Sequence, residues 1–516
     1  MSDQRSRQRT ARRARHGVLV AVVAAVVSTA LMLPAGSAQT APERRTPTLG
    51  ARAQAEQTLA LAQRLLGAKS PAAARAQLGA SRDLTMVLRD LWLQRGALSR
   101  EDRATARLIG GRPTGKNSVE CSLTCVHWNP SETSDDFAAK VISTMDRVQG
   151  IYRKAGYRTP KADGGRGGND LPDIYLDDIG SEGLYGYCTS DQTNQVADDR
   201  YDVWAYCVLD NDYSSNEFPT NTPLENMHVT AAHEYFHAVQ YAYDSAEDGW
   251  FLESLSAWVE DELYPKVDDN IQYLQTSPIS DPARSLDDSE GIGIYGSWVW
   301  IRYLGEQFPK KKGALPAIVL QLFKAMDSSK GASHDRYSTQ ALTTVLRNRG
   351  GFAATFADFA DANRRPSRAY SDGKLYPTAA PHSSVKLAAG KRSRDRVSLD
   401  HLTSKTARFT PGRGLGRQAR LRIRVDLPQR SKGSVAVLTT YPTSGKVVRR
   451  LIRLDPKGDG SLSVPFATRD VKYAELTLVN ASTSYRSCYQ ANTSFACSGR
   501  PVDQGLAASY VATAVR

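Results

Sequence analysis

Histidine is scarce in this sequence, eight residues in 516, and no two of its six cysteines have the two-residue spacing of a zinc ribbon or finger. That absence argues against a structural zinc module. Only one stretch is apolar over any length, Val18 to Leu33, and it is short for a membrane anchor. A positive run (Arg5, Arg7, Arg9, Arg12, Arg13, Arg15) precedes it and Gly36-Ser37-Ala38 follows. Residues 1–38 are therefore expected to be a signal peptide cut after Ala38, and the Arg12-Arg13 pair also admits twin-arginine export. The expected mature chain is secreted and has no transmembrane segment. No repeat is present, and an exported chain without a stacking motif is not expected to bind nucleic acid.

All six cysteines lie beyond the expected cleavage point, an even number that suits oxidised pairs outside the cytoplasm. They fall as three local couples, Cys121/Cys125, Cys188/Cys207 and Cys488/Cys497, and local pairing is the expectation. Charge is unevenly spread. Residues 366–516 carry 26 Lys and Arg against 9 Asp and Glu, whereas 39–365 are acidic within a total of +13. A basic C-terminal part suits an anionic cell-surface polymer or a membrane surface as partner; a sheet domain solubilised by its charge is the plain alternative.

The length suggests about three domains. Residues 39–115 read as polar helices ending in Gly110-Gly111-Arg112-Pro113-Thr114-Gly115, either a removable pro-segment or a lasting N-terminal cap. Residues 116–365 show helical spacing over Phe137 to Tyr157, strands at Asp173 to Leu176 and Tyr201 to Leu209, then successive helices from 223. Strands followed by helices indicate an α+β domain. A Pro/Ser/Gly/Lys-rich linker is expected at 366–395. Beyond it, alternating runs such as Ala419 to Val425, Ser434 to Thr440 and Tyr473 to Val479 indicate a basic antiparallel β-sandwich over 396–516. Two oxygen-rich stretches, Asp163 to Asp173 and Asp210-Asn211-Asp212, offer Ca2+ a place. Neither has the spacing of a known calcium loop, so ordinary turns are the first expectation.

The chemistry centres on His233-Glu234-Tyr235-Phe236-His237. On a helix the two imidazoles lie one turn apart on one face and can share one zinc ion. Glu234 is then turned toward the open coordination position, where it can deprotonate a metal-bound water. Thr222-Pro223-Leu224-Glu225 marks the helix start with an N-cap, a proline at the first helical position and a capping-box glutamate. Trp250 to Trp258 opens a second helix after the turn Asp244 to Gly249. Glu253, sixteen residues past His237, can supply the third ligand and leave the fourth position to water. Glu260 is the rival ligand; Glu260, Asp261 and Glu262 are otherwise expected in supporting or surface roles. His228 is off the metal face and read as structural, and His334 is placed in a polar loop.

These paired segments resemble the gluzincin zinc peptidases of the thermolysin and aminopeptidase type. Leu252 departs from their pattern, which usually carries Asn there. More closely, the stretch from Gly183-Leu184-Tyr185-Gly186-Tyr187-Cys188 through Asn221-Thr222-Pro223-Leu224-Glu225-Asn226 to Tyr264 resembles a group of secreted bacterial proteins assigned as metalloproteases by motif. That resemblance covers about 116–365 and implies a zincin-like fold. It also implies a tyrosine on a later helix as hydrogen-bond donor to the oxyanion, and Tyr295 in Tyr295-Gly296-Ser297-Trp298 matches that order. An edge strand that pairs with substrate backbone is implied as well, and Val203-Trp204-Ala205-Tyr206 is the expected one.

The expected function is that of a secreted zinc-dependent metallopeptidase with one Zn2+ per chain, acting on protein or peptide substrate. His233, His237 and Glu253 are the expected ligands, Glu234 the general base and Tyr295 a catalytic donor. The alternatives are a non-catalytic surface-binding protein on a relic protease fold, and a zinc amidase of cell-wall peptides.

Overall fold

Short strands between long helices, largely buried apart from the edge strand at Ser118–Cys121, place the first half of the chain around one sheet. The structure, a computed structural model, describes residues 49–66, 84–193 and 200–516. The expected signal peptide, and residues 39–48 and 67–83 of the segment after it, lie outside the described residues. Helices α1 (Leu49–Leu66), α2 (Thr85–Gln94) and α3 (Arg100–Ile109) come first. Strands β1 (Ser118–Cys121), β2 (Cys125–Trp128), β3 (Asp173–Asp177), β4 (Gly186–Thr189) and β5 (Tyr206–Asp210) form one sheet in the order β1-β2-β3-β5-β4. Its central pairs β2/β3 and β3/β5 are parallel, and the edge strand β4 runs antiparallel to β5.

Alternation along the strands gives the sheet two apolar faces. Ile174, Leu176, Cys207 and Leu209 join the core shared with α4 (Asp135–Ala155) and the later helices. Tyr175, Tyr187, Tyr206 and Val208 point the other way, into a cluster completed by Leu59 of α1 and Leu88 and Leu91 of α2. The Cys188–Cys207 disulfide joins residues directly opposite each other on β4 and β5, and the other two couples also pair locally as expected.

Helix α5 (Pro223–Tyr241) begins as its sequence dictates. Thr222 Oγ1 accepts the Glu225 amide, and Glu225 accepts the Thr222 amide at 2.9 Å, a complete capping box. The chain reverses and enters α6 (Gly249–Leu263), which packs along α5. Helices α7 (Gly293–Gly296) and α8 (Trp298–Gln307) follow, then a short hairpin, β6 (Lys311–Lys312) and β7 (Leu315–Pro316). The helical half closes with α9 (Ala317–Ala325), α10 (Ser338–Leu346), α11 (Phe352–Ala362) and α12 (Pro366–Ala369).

The C-terminal part is β-rich. One sheet has the order β13 (Val448–Leu451), β12 (Ser434–Pro442), β15 (Val471–Asn480), β10 (Thr403–Pro411), β8 (Ser383–Leu387), and a second the order β14 (Asp459–Pro465), β11 (Arg420–Asp426), β18 (Leu506–Val515), β9 (Arg392–Leu399); β16 (Tyr485–Arg486) and β17 (Arg500–Pro501) form a separate pair. Both contribute to one core, with Phe409, Leu438 and Leu476 from the first and Leu421, Ile423 and Tyr510 from the second. Two expectations need correction. The stretch 366–395 is no plain linker, since it holds α12, β8 (Ser383–Leu387) and the start of β9 (Arg392–Leu399). The pairing is not antiparallel throughout, because β8 lies parallel to β10 (Thr403–Pro411). Nor does this part stand apart from the helices. Leu402, Val437 and Val479 enter the helical core, and Glu475 of β15 (Val471–Asn480) binds Arg364 at 3.0 Å in a buried pair.

Candidate metal centre

Two features put the imidazoles of α5 opposite α6: the i, i+4 spacing of His233 and His237, and the tight turn that brings Glu253 back alongside them. Nε2 of His233 lies 3.2 Å from Oε2 of Glu253, and Nε2 of His237 lies 3.5 Å from the same oxygen. One ligand atom from each of the three residues falls within 4.8 Å of the other two. The three side chains are buried, as is Glu234.

The opposite ring nitrogens are already engaged. Nδ1 of His233 donates to Oε1 of Glu260 at 2.6 Å, and Nδ1 of His237 donates to Oε1 of Gln240 at 2.7 Å. Gln240 is held in turn by its own donation to the Leu252 carbonyl at 2.9 Å. Fixing Nδ1–H on both rings directs both Nε2 atoms at the same point, the tautomer a metal ligand needs. Glu260, the rival ligand, thus stands behind His233 rather than beside Glu253. Asp261 and Glu262 point elsewhere and pair with Arg302.

The donor set fits a divalent cation. Nε2 of His237 and Oε1 of Glu253 are buried without hydrogen-bond partners, a costly state for polar atoms unless a ligand completes it. Burial alone would push the Glu253 carboxyl up, yet the His237 and His233 imidazoles hold it well below its ordinary value, at about 2. Burial would likewise lower His233, but its bonds to Glu253 and Glu260 hold it well above 6.5. In each case the opposite charge of the neighbouring group favours the ionised form.

Glu234 meets the N-terminal helices and the edge strand. Its Oε2 accepts a hydrogen bond from Thr85 Oγ1 at 3.0 Å, and the same hydroxyl accepts the Cys188 amide of β4 at 2.9 Å. A side chain on Gly186 would place Cβ 2.8 Å from Cγ of Glu234, so the edge strand can lie this close only with glycine there. Tyr295, on α7, is buried with its ring centroid 6.2 Å from that of His233 and stacks on Tyr273. The structure thus brings His233, His237 and Glu253 together, with the Tyr295 ring beside that of His233 and Glu234 on the same helix. His228 stacks on Tyr264 and His334 is exposed in a loop, away from them.

The expected edge strand is corrected. Of 201–209, only Tyr206 onward is strand, and β5 is interior to the sheet. Val203 gives its amide to the Tyr241 carbonyl, so it has no ladder partner to offer. The edge is β4. Thr85 and Gln240 are the contributors that sequence reading missed. Gln240 was findable as a polar residue one turn past His237, whereas nothing near Thr85 signals its role.

Of the oxygen-rich stretches, Asp163 and Asp173 bind the Arg112 guanidinium, which already supplies a cation. Asp210 lies with Asp212 and Glu217 in a second acidic group. Burial pushes its carboxyl up to about 7, against the backbone amides of Tyr213, Gly180 and Asp212 that it accepts. Those three amides take up most of the carboxylate's lone-pair positions.

The chain matches no protein family and no curated protein. Among solved structures it has a likeness to CorA, a surface-associated copper-binding protein of Methylomicrobium album BG8, at 9% identity and a TM-score of 0.15, over 25% of this chain and 98% of that one. A second is to a family GH115 4-O-methyl-alpha-glucuronidase with specificity for decorated arabinogalactans, at 11% identity and a TM-score of 0.13, over 55% of this chain and 41% of that one. Likenesses this slight carry no argument.

Proposed function

We propose that the chain is a secreted zinc-dependent metallopeptidase with a zincin-like catalytic domain. The observation that carries this is the convergence of His233 Nε2, His237 Nε2 and a Glu253 carboxylate oxygen, with Glu234 on the same helix. Zinc held by these three residues would supply a Lewis acid that polarises the scissile carbonyl and lowers the pKa of water. Glu234 takes the proton of the attacking water and passes it to the leaving amine. Tyr295, braced by Tyr273, donates to the oxyanion that develops on the carbonyl. Three disulfides suit an oxidising compartment, and among the described residues no helix is long and apolar enough to cross a membrane. Purified protein should hold one zinc per chain, and Glu234→Gln should keep it while losing peptide hydrolysis by about a hundredfold or more. Hydrolysis undiminished by that substitution would sink the reading.

The basic part is assigned an anionic cell-surface polymer. Arg392, Arg394 and Arg396 are exposed along β9, and Arg420, Arg422 and Arg424 are exposed along β11 (Arg420–Asp426). Strand β18 (Leu506–Val515) runs between them, with Thr513 opposite both Arg422 and Arg392 and Val511 opposite both Arg424 and Arg394. Two rows of arginines, on strands whose backbones lie about 10 Å apart, flank a strip of smaller side chains. That geometry suits a linear chain of phosphates or carboxylates better than a stacked base, since no aromatic lies between the rows. Replacing the six arginines with glutamine should abolish salt-sensitive retention on a polyanion while leaving peptide hydrolysis intact. Retention unchanged by the replacement would refute the assignment.

A further inference from the structure

We infer that the described N-terminal helices, residues 49–66 and 84–109, belong to an inhibitory segment of this same chain, docked on the second face of the sheet and closing the metal centre through Thr85. The inference rests on the peptidase reading above for what is inhibited, but the docking surface is described by contacts alone. The hydroxyl of Thr85 stands between the two groups a substrate must meet. It donates to the Glu234 carboxylate and accepts the Cys188 amide of the edge strand. With Thr85 seated there, Oε2 of the base is engaged by the segment, and the edge-strand amide has a partner already. Thr85 itself has no exposed surface, and Glu234 is only 2% exposed.

Further contacts hold the segment down. Arg89 donates to the Glu247 carbonyl at 2.6 Å, at the turn that leads into α6. Trp92 donates through its indole to the Gln192 carbonyl at 3.1 Å, just past β4. Arg112, beyond the last helix, closes the attachment by pairing with Asp163, Asp173 and Asp191.

The surface underneath has the chemistry of an interface. Three of the residues that the segment covers on the sheet are tyrosines, Tyr175, Tyr187 and Tyr206, each with a polar end that tolerates water better than an aliphatic face would. Helix α3 has no buried residue, and the chain after it runs without regular structure through exposed Thr114 and Gly115. A cut there would leave the segment tied by noncovalent contacts only, the arrangement of a cleavable inhibitor rather than of a core element.

The test places a site-specific protease sequence between Thr114 and Gly115 of the full chain. The uncut chain should bind a fluorescent hydroxamate, a metal-directed probe, about tenfold more weakly than the cut chain freed of its segment, because only the fraction with Thr85 withdrawn is competent. Thr85→Val in the uncut chain should gain part of that factor, whereas Thr85→Ser should not. Deuterium exchange at the Cys188 amide gives a readout independent of metal, and it should quicken on cutting and in Thr85→Val. Uncut and cut chains with equal probe binding and equal Cys188 exchange would overturn the inference. Faster exchange and tighter probe binding without any peptide hydrolysis would uphold the inhibitory segment and remove the peptidase reading instead.

Discussion

Oε1 of Glu260 lies 2.6 Å from Nδ1 of His233, while Oε2 of Glu253 faces Nε2 of the same ring at 3.2 Å. One imidazole is thus held between two carboxylates, seven residues apart on α6, with different tasks. Under the proposed function Glu253 would supply a ligand atom, while Glu260 fixes which nitrogen carries the proton. Replacing Glu260 by Gln keeps an acceptor but removes its charge, so zinc affinity should fall by roughly tenfold or more. Competition with a chelating dye measures this directly. Affinity equal to wild type would mean that Glu260 is mere packing.

Gly186→Ala tests how closely the edge strand approaches the base. The added methyl would sit 2.8 Å from Cγ of Glu234 and from Cγ2 of Thr230, and 3.1 Å from the Val208 carbonyl. Relief requires β4 or Glu234 to shift, at a cost of about 1–3 kcal/mol. The expected result is retained zinc with a lowered kcat. Wild-type kcat with wild-type melting temperature would contradict the packing described.

The junction of the two halves should respond to pH. Nε2 of His401 lies 2.8 Å from Oδ1 of Asp287 across that junction, both fully enclosed. Burial would lower the His401 pKa, but Asp287 raises it above 6.5; burial would raise Asp287, but His401 holds it below 3.8. Tyr485 donates to Asp287, and Asp400 adds a second negative group near the ring. A raised histidine stabilises fully below its unfolded value of 6.5 and loses that contribution as pH climbs through the higher folded value. A lowered carboxylate contributes above 3.8 and fails as pH falls through its folded value. Thermal melts should therefore show the wild type most advantaged over His401→Gln between about pH 4 and 6.5, and less so toward pH 9. A constant difference across that range would dismiss the pair as a stabilising contact.

Glu475 should matter more than any other charged residue of the β-rich part. It receives Arg364 at 3.0 Å and Arg408 at 2.7 Å, with Tyr441 donating at 3.2 Å. Glu475→Ala leaves the nearly enclosed Arg364 guanidinium without its counter-charge, a loss of about 3–5 kcal/mol. Urea unfolding reads it, and a change below 1 kcal/mol would be inconsistent with that role.

Local signals carried the sequence reading furthest. The motif helix announces itself through Thr222, Pro223 and Glu225, and the return of Glu253 follows from a short turn, so four of the five site residues needed little beyond helix geometry. Strand order was not readable, because it depends on pairing between distant segments. Tyr201 to Leu209 looked like one strand, yet Val203 and Trp204 spend their amides on Tyr241 and on the Gln192 side chain. Strand β9 escaped notice because Arg392 to Arg396 alternate among polar residues only, and the buried Val397 and Leu399 come late. The tie between the two halves is hidden for a related reason: Arg364 pairs with Glu475 and His401 with Asp287, each more than a hundred residues away in the chain.

The unequal charge of the two halves has a consequence for how the molecule arrives where it works. With an excess of 17 positive charges over 366–516 and an acidic stretch before it, the chain is strongly dipolar. Near a negatively charged surface such a body turns before it touches, β-rich end first. At physiological ionic strength the torque fades beyond about 8 Å, and stronger salt shortens that reach further. For the anionic polymer proposed above as partner, salinity would then control residence: dilute water would favour capture, and brine release.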